Sequence, residues 1–228
     1  MGNYTSGLIT QEKIVNSAKR LFYEFGYKKT TIKAICEDAK VLRTVFVYYF
    51  KDKAEIADFI SNLMNSALMN ALMIELRMKD EALDELVFNI YSSAWFFIKI
   101  MSDININRFY AEVLGSNSNM LLGDAFYRSL FKKMYRACGK NTESKEFELF
   151  FTYNTSPPGA FLNQYLEGLV DLTKEEIAEF MSRQVLSGLS IEGKRQEDII
   201  ETVLSKVQES KINFKEIFLS PYVNPLKE

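Results

Sequence analysis

The sequence predicts an all-α protein with a three-helix unit at its N-terminus and a larger helical body behind it. Apolar residues recur with helical spacing along most of the chain, and the alternating pattern typical of strands is scarce. The four prolines lie at positions 157, 158, 221 and 225, so none interrupts the segment from Thr10 to Tyr153. Hydrophobic residues make up 47% of the 228 residues, which is enough for a sizeable core.

Three short helices are predicted within residues 10–60. The first begins after Thr10, a good N-cap, and ends at Gly26, because glycine readily adopts the left-handed conformation of a helix C-terminus. The second follows Thr31, and the third covers about residues 42–49. Three short helices joined by tight turns are what a helix-turn-helix unit requires, with the third helix free to enter a DNA major groove.

The fourth helix carries the clearest apolar stripe of the chain. Asp52 and Glu55 have the spacing of a capping box at its start. Apolar residues then recur at intervals of three and four from Ile56 to Leu72, which predicts a helix long enough to link two packed units. Four polar residues are expected off this stripe: Asn62, Asn65, Ser66 and Asn70.

The body is predicted to continue as a series of helices. Ser156–Pro157 is the expected start of one of them, since proline is favoured in a first helical turn. Thr173 is expected to cap the next helix, and apolar residues within 199–207 mark the last clear one. The segment 214–219 fits a short helix or a docked coil. Four earlier helices are expected at about 82–101, 104–114, 119–138 and 143–154.

Charge and residue usage limit the classes of function. Net charge is −2, but residues 10–60 carry +3 and residues 61–228 carry −5. A basic head on an acidic body suits a protein that touches DNA with one end, although chance also explains so small a difference. Histidine is absent, which excludes a Ser-His-Asp triad and histidine metal sites. Without a catalytic cluster or a glycine-rich phosphate loop, we expect no enzyme activity, no metal and no cofactor.

Cysteine usage and hydropathy indicate a cellular compartment. Cys36 and Cys138 are far apart and form neither a metal-binding spacing nor a disulfide framework. The chain has no apolar run of the ~18 residues that a membrane-spanning helix needs. Residues 1–10 lack the basic and apolar segments of a secretory leader. We therefore expect a cytoplasmic protein that does not associate with membranes.

Residues 10–60 closely resemble the N-terminal head of the TetR family of regulators. Residues 13–27, KIVNSAKRLFYEFGY, are similar to that family's first helix with its pattern A-x-x-L-F-x-x-x-G-[FY]. Residues 30–39, TTIKAICEDA, resemble its second helix. Residues 41–56, VLRTVFVYYFKDKAEI, resemble the pattern V-S-R-G-T-L-Y-x-Y-F-x-S-K-E-x-L. Several spaced elements agree in order, so the resemblance of this segment is specific.

The resemblance implies a DNA-binding domain at residues 1–53 and an effector-binding and dimerisation domain at residues 54–228. The partner of the head would be a double-stranded DNA operator. Arg43 can reach a guanine edge or a phosphate, and Thr31 and Lys53 lie at helix N-termini that attract phosphate. The alternatives are packing against the first helix for Tyr49 and a solvated charge for Lys53. The implied DNA-binding residues are Thr31, Lys33, Arg43, Thr44, Val45, Val47, Tyr48, Tyr49 and Lys53.

The third helix departs from the family pattern. Leu42, Thr44, Val45 and Val47 stand where Ser, Gly, Thr and Tyr are usual, and Lys40 replaces a turn glycine. The exposed side of this helix is therefore unusually apolar, and its valines fit contact with thymine methyl groups or with a protein. The resemblance implies a repressor that a small, mostly apolar effector releases from its operator. The alternative is a coactivator whose head binds a partner protein.

The body contains the expected effector pocket and dimer interface. Aromatic and methionine residues are abundant over 87–155, which fits a packed core or a ligand pocket between helices. The stripes at 161–170 and 177–189 look like the two dimerising helices of the family. The expected effector-binding residues are Trp95, Phe96, Met101, Arg108, Phe109, Met134 and Phe151. The expected interface of a homodimer is Phe161, Tyr165, Leu169, Phe180, Val185 and Leu189.

Overall fold

The computed structural model describes residues 2–78, 83–116, 124–155 and 158–225. These residues form helices and no strand, which confirms the all-α class. The helices are α1 (Gly2–Lys29), α2 (Ile32–Ala39), α3 (Arg43–Tyr49), α4 (Lys53–Met78), α5 (Glu85–Met101), α6 (Ile104–Gly115), α7 (Asp124–Ala137), α8 (Lys145–Thr155), α9 (Pro158–Leu166), α10 (Lys174–Gly188), α11 (Gly193–Glu209) and α12 (Phe214–Leu219).

α1 is longer than the sequence predicts, and a glycine breaks it. It begins at Gly2, so Thr10 lies inside the helix and is not its N-cap. The N-terminal extension is anchored to the head, because the Tyr49 hydroxyl donates a hydrogen bond to the Gly7 carbonyl at 2.8 Å. Gly26 has φ 83° and ψ 170°, so the predicted stop is a sharp break followed by three more residues.

Lys40 forms the turn between α2 and α3. Its φ of 56° and ψ of 47° are left-handed, the conformation that glycine adopts at least cost. The Lys40 N–H donates to Glu37 O at 3.2 Å, and the Val41 N–H donates to Cys36 O at 2.9 Å. The turn thus keeps its left-handed geometry although a lysine occupies the position where glycine was expected.

The start of α4 shows half of the predicted capping box. Asp52 Oδ1 accepts a hydrogen bond from the Glu55 N–H at 2.9 Å, as expected. The Glu55 carboxylate, however, accepts from the N–H of Lys51 rather than from that of Asp52. The cap therefore extends one residue further back along the chain than a standard box.

α5 is the central helix of the body. Twelve of its seventeen residues are buried, and a helix that is apolar on all sides belongs in a core. It packs against α6, α7, α9, α10 and α11. The indole N–H of Trp95 donates to Ser210 Oγ at 2.8 Å, which satisfies the polar group of a fully buried ring. Of the described helices, none has the length and apolarity needed to cross a bilayer.

Several predicted boundaries in the body are confirmed. Thr173 Oγ1 accepts from the Glu176 N–H, and Glu176 accepts from the Thr173 N–H, so this capping box is complete. The segment 214–219 is a helix and not a coil. The expected helix start at Ser156–Pro157 and the first residues of the expected helix at 119–138 lie outside the described residues. The fourth helix was expected to end within residues 77–81, of which 79–81 also lie outside them.

Residues 220–224, which we call the C-terminal strap, lie against α1. Asn16 donates to Tyr222 O at 3.0 Å and accepts from the Tyr222 N–H at 2.7 Å. Glu12 accepts from the Asn224 N–H at 2.8 Å. The Lys19 ammonium donates to Ser220 O, and burial lowers the pKa of Lys19 to about 8. The strap therefore joins the end of the described chain to its first helix.

Candidate functional site

α3 presents one side to solvent and packs the other inward. Phe46 is fully buried, and its ring lies 6.0 Å from that of Phe50, centroid to centroid. Residues four positions apart share a side of a helix, which is the spacing of Arg43 to Val47 and of Thr44 to Tyr48, and all four are exposed. The exposed side of α3 therefore consists of Arg43, Thr44, Val47 and Tyr48.

The exposed side of α3 is apolar for a surface that meets DNA. Leu42 is 74% exposed, Val47 52% and Tyr48 82%. The Tyr48 ring meets the Tyr49 ring edge to face, with centroids 5.0 Å apart, which limits the directions that Tyr48 can take. Val45 is partly buried at the edge of this surface, so less of its side chain can contact DNA than the sequence suggests.

Thr31 and Lys33 flank this surface from α2. The Thr31 hydroxyl oxygen accepts from the Ala34 N–H at 3.1 Å, so it caps α2 and stays exposed. Lys33 Nζ lies 3.8 Å from Glu37 Oε1, and both side chains are exposed. An exposed ion pair of this kind contributes little to stability, which leaves the lysine available for a phosphate.

Lys53 and Tyr49 are engaged inside the head. Lys53 Nζ donates to Tyr27 O at 2.8 Å and to Thr30 O at 2.9 Å, and it lies 4.2 Å from the centroid of the Tyr27 ring. Burial lowers the pKa of Lys53. The Tyr49 hydroxyl donates to Gly7, as described above. Both side chains therefore have hydrogen-bond partners within the head, and their roles as DNA contacts stay predictions.

A bonded junction joins α1 to α6 of the body. Arg108 donates to Glu24 O at 2.8 Å and to Tyr23 O at 3.1 Å. Glu112 Oε2 accepts from the Lys28 N–H at 2.6 Å. A Cβ on Gly26 would lie 2.7 Å from the same Glu112 oxygen, so the Glu112 side chain would have to shift, and the positive φ favours glycine. The predicted effector anchor Arg108 is thus part of the junction.

A partly open cavity of about 370 Å³ lies between α4, α5, α7, α8, α9 and α10 of the body. None of the described residues that line it carries a charge. Its volume falls in the range of small-molecule sites, ~300–1,000 Å³. The lining residues are Asn65, Leu68, Met69, Asn89, Ile90, Ser92, Ser93, Phe96, Phe97, Leu130, Phe131, Met134, Tyr153, Asn154, Thr155, Phe161, Phe180, Met181, Ser182, Gln184 and Val185.

Two of the predicted effector-binding residues, Phe96 and Met134, line this cavity. The others lie elsewhere in the core. Phe109 stacks on Phe22, with ring centroids 5.3 Å apart, and Trp95 is bonded to Ser210. The structure therefore does not bring the predicted set together, since Trp95, Met101, Arg108, Phe109 and Phe151 are not among the described residues that line this cavity.

The sequence analysis missed two asparagines of the cavity wall. Asn65 on α4 and Asn89 on α5 are 5% and 3% exposed, and each has a buried Nδ2 with no hydrogen-bond partner. The prediction that Asn65 lies off the apolar stripe is wrong. The spacing of Asn65 from Leu68 and Leu72, three and seven residues, places all three on one side of the helix and is the signal that could have found it.

The predicted dimer residues fall into three groups. Leu169 and Phe180 are exposed, whereas Phe161, Tyr165 and Val185 are half-buried. Leu189 is 2% exposed and belongs to the core of its own subunit, which corrects its assignment to an interface. Further exposed apolar residues on α8 and before α10 were not predicted: Leu149, Tyr153 and Leu172.

Comparisons with known proteins point to one family. Residues 14–58 match the family model described as bacterial regulatory proteins, tetR family. This range contains α2, α3 and most of the described part of α1, together with the start of α4. Among curated proteins, none matches the chain significantly.

Two solved structures are similar to the chain. The fatty acid degradation regulator FadR from Bacillus halodurans has a TM-score of 0.50 and 14% identity, covering 78% of this chain and 98% of its own. A TetR-like transcriptional regulator from Rhodococcus sp. RHA1 has a TM-score of 0.45 and 16% identity, covering 80% of this chain and 97% of its own. At such identities the first of these supports the fold alone.

Proposed function

We propose that this chain, which belongs to the tetR family of bacterial regulatory proteins through its N-terminal helix-turn-helix, is a homodimeric repressor that a small, mostly apolar effector releases from its operator. The coarser activity, DNA-binding transcription regulation, follows from the family of the head. Repression, effector response and dimerisation are the proposed parts.

The observation that carries the proposal is the exposed side of α3. Arg43 and Thr44 project from its first turn, where a recognition helix contacts base edges. Buried Phe46 fixes the helix from the opposite side. Val47 offers an apolar contact for a thymine methyl group, and the Tyr48 hydroxyl can donate to a phosphate.

Effector response is supported by the position of α4. Asn65, Leu68 and Met69 of this helix line the cavity, while Lys53 at its N-terminus bonds the end of α1. Twelve residues of helix separate Lys53 from Asn65, about 18 Å at 1.5 Å per residue. A ligand that displaces α4 therefore also displaces the head, and the α1–α6 junction gives the body a second point of attachment.

Dimerisation is supported by exposed apolar side chains on one part of the body. Phe180 on α10 lies against Phe161 on α9, with ring centroids 6.2 Å apart, and 49% of Phe180 remains exposed. Leu149 and Tyr153 on α8 and Leu169 are exposed as well. Exposed apolar residues that form a contiguous patch mark interaction sites. A two-fold pair would present two α3 helices one DNA turn apart, about 34–36 Å.

The test is DNA selection with the full chain, followed by affinity measurements at several salt concentrations. We expect a palindromic site and a steep loss of affinity with salt, with a slope of roughly −0.9 per phosphate contacted. Arg43→Ala should weaken binding by about 1–3 kcal/mol per contact without lowering the melting temperature. Lys194→Ala, an exposed substitution at the start of α11, is the matched control. Equal effects of the two variants would remove α3 from the interface.

A coactivator that binds a protein is the second candidate, and the exposure of Leu42 and Val47 favours it. Leu42 precedes α3 and makes no side-chain cap there, so its exposed side chain has no described role within the head. If no DNA binds at low salt, this candidate replaces the first. Leu42→Ser should then abolish the partner interaction, whereas it would leave the affinity of a DNA-binding regulator within a few fold.

A further inference from the structure

The cavity wall contains two amide groups whose hydrogen-bonding capacity is unused. Nδ2 of Asn65 and Nδ2 of Asn89 are both buried, and neither has an acceptor. A buried donor without a partner costs about 1–3 kcal/mol, so most buried polar groups are paired. Both groups occur in side chains that line the apolar cavity of the body described above, on two different helices, α4 and α5.

The chemistry of the lining restricts the molecule that can use these donors. A carboxylate or phosphate would enter without a counter-ion, because no lysine or arginine is among the described lining residues. Burying an unpaired charge is far more costly than burying a neutral polar group. An ammonium ion would likewise find no carboxylate among the described lining residues. Leucine, methionine and phenylalanine side chains form most of the remaining wall, which favours a neutral apolar body.

We propose that Asn65 and Asn89 bind a neutral, mostly apolar ligand through an oxygen acceptor such as a ketone or ester carbonyl. The inference rests on the proposed effector cavity and adds to it the chemical class of the effector and the residues that recognise it. The amide N–H groups donate to the carbonyl oxygen, and the hydrocarbon part fills the space beside Phe96 and Met134. Because Asn65 belongs to α4, the same hydrogen bond acts on the helix that carries Lys53 to the head.

The experiment compares two pairs of neutral probes of matched shape, 1-tetralone with tetralin and 9-fluorenone with fluorene. Calorimetry measures their dissociation constants with the full chain in the absence of DNA. We expect at least one ketone to bind about tenfold more tightly than its hydrocarbon, the ratio produced by one recovered buried hydrogen bond. The anion 1-naphthoate, of similar size, should bind more weakly than either ketone.

Leucine substitutions at the two asparagines remove the donors with little change in volume. In Asn65→Leu and Asn89→Leu the ketone-to-hydrocarbon ratio should fall toward one. The ligand-free variants should melt at a temperature equal to or roughly 2–4 °C above the native protein, since an unpaired buried amide is lost. Asn62→Leu, the same substitution on the exposed side of α4, is the control and should keep the native ratio.

The outcomes separate this inference from the proposed function. Equal affinities for ketone and hydrocarbon, tighter binding of 1-naphthoate, or failure of all probes to bind would overturn the inference. A ketone preference that survives both leucine substitutions would overturn the assignment to Asn65 and Asn89. If a ketone binds but DNA affinity does not change, the ligand site is supported and the proposed release by an effector is refuted. If no DNA binds, the proposed regulator function is refuted, and the ligand measurements remain valid.

Discussion

The two ends of the α4 segment that links head and body differ in how their polar groups are satisfied. At the head, Lys53 donates to two backbone carbonyls at hydrogen-bonding distances below 3 Å. In the body, Ser61 and Asn65 of the same helix each bury a polar atom that has no partner. A polar group that has a hydrogen-bond partner favours one geometry. A buried polar group without a partner favours any arrangement that supplies the missing hydrogen bond.

The α1–α6 junction extends this contrast. Arg108 and Glu112 make three hydrogen bonds to the backbone of α1 between Tyr23 and Lys28. The head is therefore attached at two places by specific polar contacts, and the cavity is bounded mostly by adaptable apolar side chains. Three substitutions test this contrast between the bonded contacts of the head and the unbonded polar groups of the body.

Gly26→Ala should have the largest effect, because it disrupts the junction. The new Cβ meets Glu112 and Arg108, and alanine must also adopt a positive φ. We expect a loss of about 2–4 kcal/mol in the free energy of unfolding, measured by denaturant titration. Gly139→Ala provides the control, since Gly139 has φ +70° but nothing within 4 Å of its Cβ position. Equal losses of unfolding free energy in the two variants would mean that the positive φ alone causes the effect and that the α1–α6 junction accommodates the new Cβ.

Lys53→Ala should have an intermediate effect and decide between two roles for that lysine. Removing donors from the carbonyls of Tyr27 and Thr30 should lower the free energy of unfolding by about 1–2 kcal/mol, less than a fully buried charged donor would contribute. Lys51→Ala, an exposed neighbour, should change it by less than about 0.5 kcal/mol. A stable Lys53→Ala protein with a flatter salt dependence of DNA binding would instead restore Lys53 as a phosphate contact.

Asp58→Asn should have the smallest effect, and it tests the protonation of a partly buried carboxyl group near the start of α4. Burial, followed by the charges of Asp52 and Glu55, raises the pKa of Asp58 to about 6. Between pH 4 and 6 the folded protein therefore holds a proton that the unfolded chain has released, so stability from this group falls as pH rises through that window. Asp58 is partly exposed, so we expect a gain well below ~1 kcal/mol for the variant at pH 7.5 and none at pH 4.

Chemical denaturation at the two pH values measures the Asp58 effect, with Asp198→Asn on the exposed side of α11 as control. A gain of the same size at both pH values would show that the carboxyl is not neutral at low pH and that its pKa is ordinary.

The sequence predicted the fold because its signals are local. Glycine at position 26, threonine caps at 31 and 173, and the stripe from Ile56 to Leu72 each act within a few residues of the chain. The exposed side of α3 followed from the same helical spacing and from the family resemblance. These features need no knowledge of distant contacts, which is why their positions agree with the structure.

The contacts between distant residues could not be predicted. Lys53 and Thr31 both looked like phosphate ligands, but only the packing of α4 on α1 shows that the lysine is occupied by carbonyls. Trp95 and Phe109 are aromatic residues of the type that lines ligand pockets, but both are fully buried in the core. The spacing of Asn65 indicates its side of α4, but the pattern of one helix does not reveal that Asn89 of α5 lines the same cavity.

The strap along α1 has a consequence for the order of biosynthesis. The hydrogen bonds between Asn16 and Tyr222 join residues that are 206 positions apart. The head is therefore synthesised first, but it can form these contacts only after the strap has been translated. Until then Asn16 and Lys19 face water. An incomplete chain therefore lacks the hydrogen bonds by which the strap holds α1, including the one from the Asn224 N–H to Glu12.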